Sequence, residues 1–328
     1  MKTCWLFSLR AWALLLACLL LPAPASAPRA AEAPAVQGTA GEFTVMATTF
    51  PVWLFTRAVC EGVPGVRVEL FVPAQTGCPH DFTPSPADLG RLATARAIVI
   101  NGLGLEAFLA QPLRSLDKEH AVIDASRGTH PLPAPAGDDG HGHSAHDGHG
   151  HGEPGVNPHI FAGPAQAALM VRAIAAGLGR MDPAHADAFA GNAEKAAQRL
   201  EGLSAQLAAV GKAAPHKGIV LQHDDLAYLA HEAGLDTLDV LRAGDEGSAL
   251  SASRLHSLAR RLKAEAPVLI AGEPPAPDRA VELLSSESGV PFALLDPVAS
   301  GPADAAPDYY ERVMAANIKT LRRYFDAP

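Results

Sequence analysis

A histidine-rich segment near the middle of the chain is its densest group of metal-binding side chains. It runs from Asp138 to Glu153 and reads DDGHGHSAHDGHGHGE. Its imidazoles belong to His141, His143, His146, His149 and His151. Neutral imidazole is the commonest metal-binding side chain, and the interleaved glycines give the segment no reason to fold by itself. The pattern therefore predicts a flexible, low-affinity collector of transition-metal ions; the alternative is a solvated linker.

Four further side chains are candidates for an ordered metal site. His80, His223 and Asp296 each come soon after a predicted strand, and His159 follows the histidine-rich segment. In open parallel sheets, ligands bind just beyond the carboxyl ends of the strands. A hydrogen-bonded structural role is the commoner explanation for any one such histidine. Their recurrence in both halves of the chain favours a shared site, and three imidazoles with one carboxylate suit zinc better than manganese.

The elements that must position these side chains alternate between strand and helix. Runs rich in apolar and β-branched residues predict strands, and proline or serine followed by an apolar run predicts helices. In the first half, strands are predicted at 43–48, 66–72, 97–100 and 121–124, with helices beginning at Pro51 and Ser85. In the second half, strands are predicted at 217–222, 239–241, 267–271 and 292–295, with helices at 251–264, 278–286 and 309–324. Such alternation indicates parallel sheets covered by helices.

A long helix is predicted between the two groups of strands. One helix is predicted from Pro164 to Gly179. A second helix is predicted to begin at Asp182, a capping residue that is followed by a proline in the first turn. The residues from Ala184 to Lys212 contain no proline and predict a helix about 40 Å long at 1.5 Å per residue. The predicted fold is therefore α/β, with two lobes of mostly parallel sheets joined by one long backbone helix. If the ligand-bearing edges of the two sheets face each other, the four candidate side chains meet and the metal site lies in the cleft between the lobes.

The first 27 residues have the pattern of a secretory signal peptide. Lys2 and Arg10 flank the start, and the apolar core from Ala11 to Leu21 is too short to span a bilayer permanently. A lipoprotein processing site at Cys18 is the alternative. The expected divisions are a signal peptide at 1–27, a disordered lead-in at 28–41, an N-terminal α/β lobe at 42–163 with a histidine-rich loop at 129–155, a helical connection at 164–212 and a C-terminal α/β lobe at 213–328. An exported, periplasmic protein is predicted.

The net charge of the chain bears on its binding partners, and its cysteines bear on whether a disulfide forms. The net charge of -9 and the lack of basic clusters argue against nucleic acid or an anionic membrane as partner. Cys60 and Cys78 are the cysteines that follow the predicted signal peptide. A helix and a returning strand should separate them by more than the roughly 7 Å that a disulfide allows between Cα atoms. Both are predicted to be free thiols.

Several motifs together resemble a known family. They are GCPHDFTPSPAD at 77–88, Asn157-Pro158-His159, QHDDLAYL at 222–229 and LLDP at 294–297. In this order they resemble the zinc and manganese solute-binding proteins of bacterial ABC uptake systems, the ZnuA/TroA-like family. The resemblance covers about residues 43 to 325.

The resemblance implies a function and a ligand set. It implies a rigid two-lobe protein, not an enzyme, that captures Zn(II) and hands it to an ABC permease in the inner membrane; a monomer is expected. His80, His159 and His223 are implied as ligands, with Asp296 as the fourth ligand or as a neighbour beside a bound water. Family members with His at the third position are generally assigned zinc, and those with Glu there manganese.

One departure from the family pattern concerns the first ligand. Many members carry an acidic residue just before the first histidine or one position further back, where this sequence has Pro79 and Cys78. Proline cannot ligate through its side chain. Its stiffness also gives the Cys78 thiol poor access to an ion held by His80. Any role of an adjacent carboxylate is therefore lost here.

Two other functions stay open at this point. A secreted zinc hydrolase would need an open coordination position and a general base, for which Asp296 or Glu273 is available. The sequence has no HExxH spacing. A zinc buffer or surface adhesin without a transporter is the third possibility. Glu273 follows the predicted strand that ends at Ala271 and is otherwise expected to face water, with a place in the cleft wall as the alternative. Asp224 is predicted to orient His223 as a neighbouring hydrogen-bond partner.

Overall fold

The computed structural model describes residues 43–76, 79, 82–134, 155–242 and 251–326. The predicted signal peptide and lead-in lie outside these residues, as do His80, Cys78 and the five histidines of the histidine-rich segment. The described residues belong to one compact unit, Glu42–Pro328.

The first sheet lies before the long helix. Its strands are β1 (Phe43–Ala47), β2 (Val66–Leu70), β3 (Ala97–Ile100) and β4 (Val122–Asp124), in the order β2-β1-β3-β4. All three strand pairs are parallel. Its helices are α1 (Phe50–Val59), α2 (Pro86–Thr94) and α3 (Ala110–Ser115). The predicted start of α2 is correct: Ser85 Oγ accepts a hydrogen bond from the Asp88 amide, and the Asp88 carboxylate accepts one from the Ser85 amide.

The second sheet repeats the arrangement. Its strands are β5 (Gly218–His223), β6 (Asp236–Arg242), β7 (Leu269–Gly272) and β8 (Phe292–Leu294), in the order β6-β5-β7-β8 with every pair parallel. Its helices are α6 (Ala227–Glu232), α7 (Ala252–Glu265), α8 (Arg279–Ser288) and α9 (Tyr309–Phe325). Ser251 and Asp278 cap α7 and α8 with their side chains.

Two long helices lie between the sheets in the sequence, α4 (Pro164–Met181) and α5 (Ala186–Ala213). The 28 residues of α5 give a length of about 42 Å, close to the predicted value. This helix packs against α4 and α1 and also against α6 and α9, so it contacts helices of both lobes. The predicted restart at Asp182 is confirmed: Asp182 is the N-cap residue of the 3-10 turn Pro183–His185, which leads directly into α5. Its carboxylate makes no capping hydrogen bond to the backbone and lies 2.7 Å from His185 Nδ1 instead.

The apolar core runs through both lobes. One continuous cluster of buried side chains includes Val45 of β1, Leu207 of α5 and Leu221 of β5. Cys60 is buried in the same cluster as a free thiol, as predicted. No helix among the described residues is both long and apolar enough to cross a membrane. The α/β fold with two parallel sheets and one long helix is therefore confirmed, while the domain boundaries at 163 and 212 stay predictions.

Candidate metal centre

His223 is placed by the end of the central strand of the second sheet. It is the last residue of β5 and not the first residue after it, and the 3-10 turn Asp224–Leu226 follows at once. His223 Nδ1 lies 3.1 Å from Asp224 Oδ1 and 3.6 Å from Asp225 Oδ1. The closer contact is the one expected of an acid that orients the imidazole.

His159 lies beside His223. The two ring centroids are 5.9 Å apart, and His159 is only 4% exposed. Asn157 Oδ1 accepts a hydrogen bond from the His159 amide at 2.9 Å and lies 3.0 Å from His159 Nδ1. Asn157 Nδ2 donates to the Asp224 carbonyl at 2.7 Å. The structure thus brings these two sequence-predicted histidines together and ties their segments to each other.

Asp296 follows β8 by two residues and is half-buried. Its Oδ1 accepts a hydrogen bond from the Val298 amide at 2.7 Å, and Asn317 of α9 bonds both its amide and its carbonyl. Burial is the main cause that raises the pKa of Asp296, and the negative charge of Asp225 raises it further. Asp296 is therefore close enough to the other acids of the site to feel their charge.

A pocket between the lobes contains part of this group. Residues of both lobes line it: Thr49, Pro51, Pro79, Leu105, His159, Phe161, Asp225 and Ala299. His80 itself lies outside the described residues, but its neighbour Pro79 lines this pocket.

The structure also reveals acids that sequence reasoning did not assign to the site. His223, Asp225 and Glu273 each offer one ligand atom, and these atoms all lie within 4.8 Å of one another. The expectation that Glu273 faces water is wrong, because Glu273 is half-buried beside Asp225. Glu273 comes directly after β7, and this strand-end position is the reason that a place in the cleft wall was the alternative prediction for it. Asp225 had only its place two residues after His223 as a signal.

The two acids have opposite electrostatic states. Burial, followed by the negative charge of Asp225, raises the pKa of Glu273 to about 10. Burial also opposes ionisation of Asp225, but the neighbouring His223 and His159 lower the pKa of Asp225 overall. The two carboxyl groups therefore share one proton and one negative charge near neutral pH. Such a group of imidazoles and carboxyl groups can bind a divalent cation.

Comparisons with known proteins agree with this arrangement. A family model described as "Zinc-uptake complex component A periplasmic" matches residues 45–324. The zinc-binding protein AdcA of Streptococcus pyogenes serotype M1 is 29% identical over 293 residues, which are 86% of this chain and 56% of AdcA. The chain thus spans about half the length of that relative. The high-affinity zinc uptake system protein ZnuA of Bacillus subtilis strain 168 is 27% identical over 255 residues, 77% of each chain.

A solved structure with a similar fold is the SBP FpvC from Pseudomonas aeruginosa in complex with Mn²⁺. It has a TM-score of 0.72 and 28% identity, and the match covers 87% of this chain and 98% of FpvC. The resemblance inferred from the sequence motifs is confirmed. This chain belongs to the ZnuA family, the periplasmic component A of zinc-uptake complexes.

Proposed function

We propose that this chain is the extracytoplasmic zinc-binding component of an ABC transporter, which captures Zn(II) in the periplasm and delivers it to the membrane permease. The observation that carries the proposal is the approach of His159 and His223, whose ring centroids are 5.9 Å apart. In a member of this family, two neighbouring imidazoles beside carboxyl groups, one of them at an interlobe pocket, support metal capture. The relatives named for zinc support zinc as the cargo.

The proposed ligands are His80, His159, His223 and Asp296. The position of Pro79 in the pocket wall supports His80, and the effect of Asp225 on the pKa of Asp296 supports Asp296. Asp224 is proposed to hold His223 in orientation through the 3.1 Å contact. The protein is proposed to act as a monomer.

The proposed role is to bind and transfer the metal ion, without catalysing a reaction. A hydrolase needs a general base that is ionised near neutral pH. Burial and the negative charge of Asp225 raise the pKa of Glu273, which disfavours Glu273 in that role. The family match supports transport of the metal over catalysis with it.

The first experiment measures zinc stoichiometry and affinity by chelator competition on protein that lacks Asp138 to Glu153. One tightly bound zinc is expected to remain and to be lost in His223→Ala. The matched control is His256→Ala, because the His256 side chain of the same lobe is 67% exposed and lies away from the site, at 3.3 Å from Glu287. Absence of tight zinc in the shortened protein would assign binding to the histidine-rich segment and refute the cleft site.

The histidine-rich segment is proposed to capture zinc weakly and to supply it to the cleft. Deleting Asp138 to Glu153 should then slow zinc loading at low zinc concentration and leave the affinity of the tight site unchanged. Stopped-flow loading of the full and shortened proteins tests this directly. Equal loading rates would refute a role in capture.

A further inference from the structure

The ligand atoms of the His223–Asp225–Glu273 group are close enough to share one ion. They lie within 4.8 Å of one another. Two ligand atoms at about 2.1 Å from the same zinc ion are at most about 4.2 Å apart. A small side-chain adjustment therefore brings the Asp225 carboxylate onto an ion that is held by His223.

Asp225 is a buried carboxylate with one oxygen that lacks a hydrogen bond. It is only 7% exposed, and its Oδ1 receives no hydrogen bond in the described part of the chain. A buried carboxylate is costly unless it is paired or coordinates a metal. The Asp225 side chain also lines the interlobe pocket together with His159. Asp225 and His159 thus lie at the wall of the same pocket, and His223 lies next to His159.

Orientation of His223 does not explain Asp225. His223 Nδ1 lies 3.1 Å from Asp224 Oδ1, closer than the 3.6 Å to Asp225 Oδ1. Asp224 is therefore the better placed acid for holding the imidazole. Asp225 lines the interlobe pocket, and its Oδ1 has no hydrogen-bond partner among the described residues.

We infer that Asp225 is a direct ligand of the metal in this site, an inference that rests on the proposed zinc-binding function. It adds a carboxylate oxygen to the proposed set of three imidazoles and Asp296. Oxygen ligands suit Mn²⁺, while imidazoles suit Zn²⁺. The site consequently discriminates less sharply between Zn²⁺ and Mn²⁺ than a site with one carboxylate.

The test compares the Zn²⁺ and Mn²⁺ affinities of the full chain with those of Asp225→Asn and Asp225→Ala. Loss of a carboxylate ligand should lower Mn²⁺ affinity at least about tenfold more than Zn²⁺ affinity. A residue that acted only by positioning His223 would lower both affinities alike, by about 10- to 100-fold. Equal losses, or no loss, would overturn the inference. Asp304→Asn is the matched control, since Asp304 is exposed and its charge is removed in the same way.

A second measurement does not depend on how the variants fold. In a crystal structure of the zinc-loaded wild-type chain, an Asp225 oxygen should lie about 2.0–2.2 Å from the ion. If zinc is bound between His159 and His223 but both Asp225 oxygens lie farther away than this, the inference about Asp225 is wrong and the proposed function still stands. A wild-type chain that binds no zinc tightly would refute the proposed function itself.

Discussion

A buried carboxyl group outside the metal site should make the stability of this protein depend on pH. Glu106 is 6% exposed. Its Oε1 accepts hydrogen bonds from Thr48 Oγ1 at 2.6 Å and from the Asn101 amide at 2.7 Å, and its Oε2 accepts one from the Gly102 amide at 3.2 Å. Burial outweighs these hydrogen bonds and raises the pKa of Glu106 from 4.5 to about 7.

The sign of the effect follows from which state binds the proton more tightly. Between about pH 4.5 and 7 the folded protein keeps the Glu106 proton, while the unfolded chain loses it. The free energy of unfolding therefore falls as pH rises through this window and is level on either side. The raised pKa corresponds to about 3 kcal/mol of stability that is present below pH 4.5 and lost above pH 7.

The variant Glu106→Gln should remove this pH dependence, because an amide does not titrate. Its Nε2 would face the Gly102 amide, a second donor, which costs stability by a constant amount at every pH. The constant cost shifts the unfolding free energy of the variant equally at every pH. The pH dependence of the difference between wild type and variant therefore reports the titration of Glu106 alone.

The assay is urea unfolding of the wild type and Glu106→Gln at several pH values from 4 to 8, with a chelator present so that metal binding does not contribute. The difference between their unfolding free energies should change by about 3 kcal/mol across the series. Glu61→Gln, at an exposed position, should follow the wild type. Parallel curves for the wild type and Glu106→Gln would refute the reasoning.

Three further predictions concern the site, the long helix and the metal. Asn157→Ala removes the hydrogen bonds to His159 and to the Asp224 carbonyl; we expect a loss of about 1–3 kcal/mol in urea unfolding and of about 10- to 100-fold in zinc affinity by chelator competition. Gly211→Ala places a Cβ of α5 against the Ala233 carbonyl, so its unfolding free energy should fall by about 1–3 kcal/mol. Zinc at a thousand times its dissociation constant should raise the unfolding free energy by about 4 kcal/mol, seen as a higher melting temperature that a chelator reverses.

Much of the fold could be predicted because its signals are local. The buried strand Ala97–Ile100 is a short apolar run with the predicted bounds. The start of α2 follows from Ser85 and Pro86, since a capping residue and a first-turn proline need only their immediate neighbours. The β6 strand was predicted too short, because Asp236 and Thr237 are polar and only pairing with β5 shows that they belong to it.

The site was harder to predict because burial and side-chain proximity arise only from tertiary structure. Histidines stand out in a sequence, whereas Glu273 is one of many acids until β7 places it beside Asp225. The role of Asn157 likewise depends on Asp224, which is 67 residues away in the chain. Residue type therefore points to the chemistry, and only the packing of the lobes shows which acids take part.

The segment that carries His159 is fixed to both lobes, and this limits how metal can leave. Asn101 Nδ2 of the first lobe donates to the Pro158 carbonyl at 2.9 Å. From the second lobe, the Tyr228 hydroxyl donates to the Asn157 carbonyl at 2.6 Å, and Asn157 Nδ2 donates to the Asp224 carbonyl at 2.7 Å. Separating the lobes would exchange such buried hydrogen bonds for bonds to water at a net cost of about 0.5–1.5 kcal/mol each, and it would also divide the continuous core. Exchange of metal is therefore expected through local rearrangement of the pocket walls, with α5 and the Asn157 contacts kept intact.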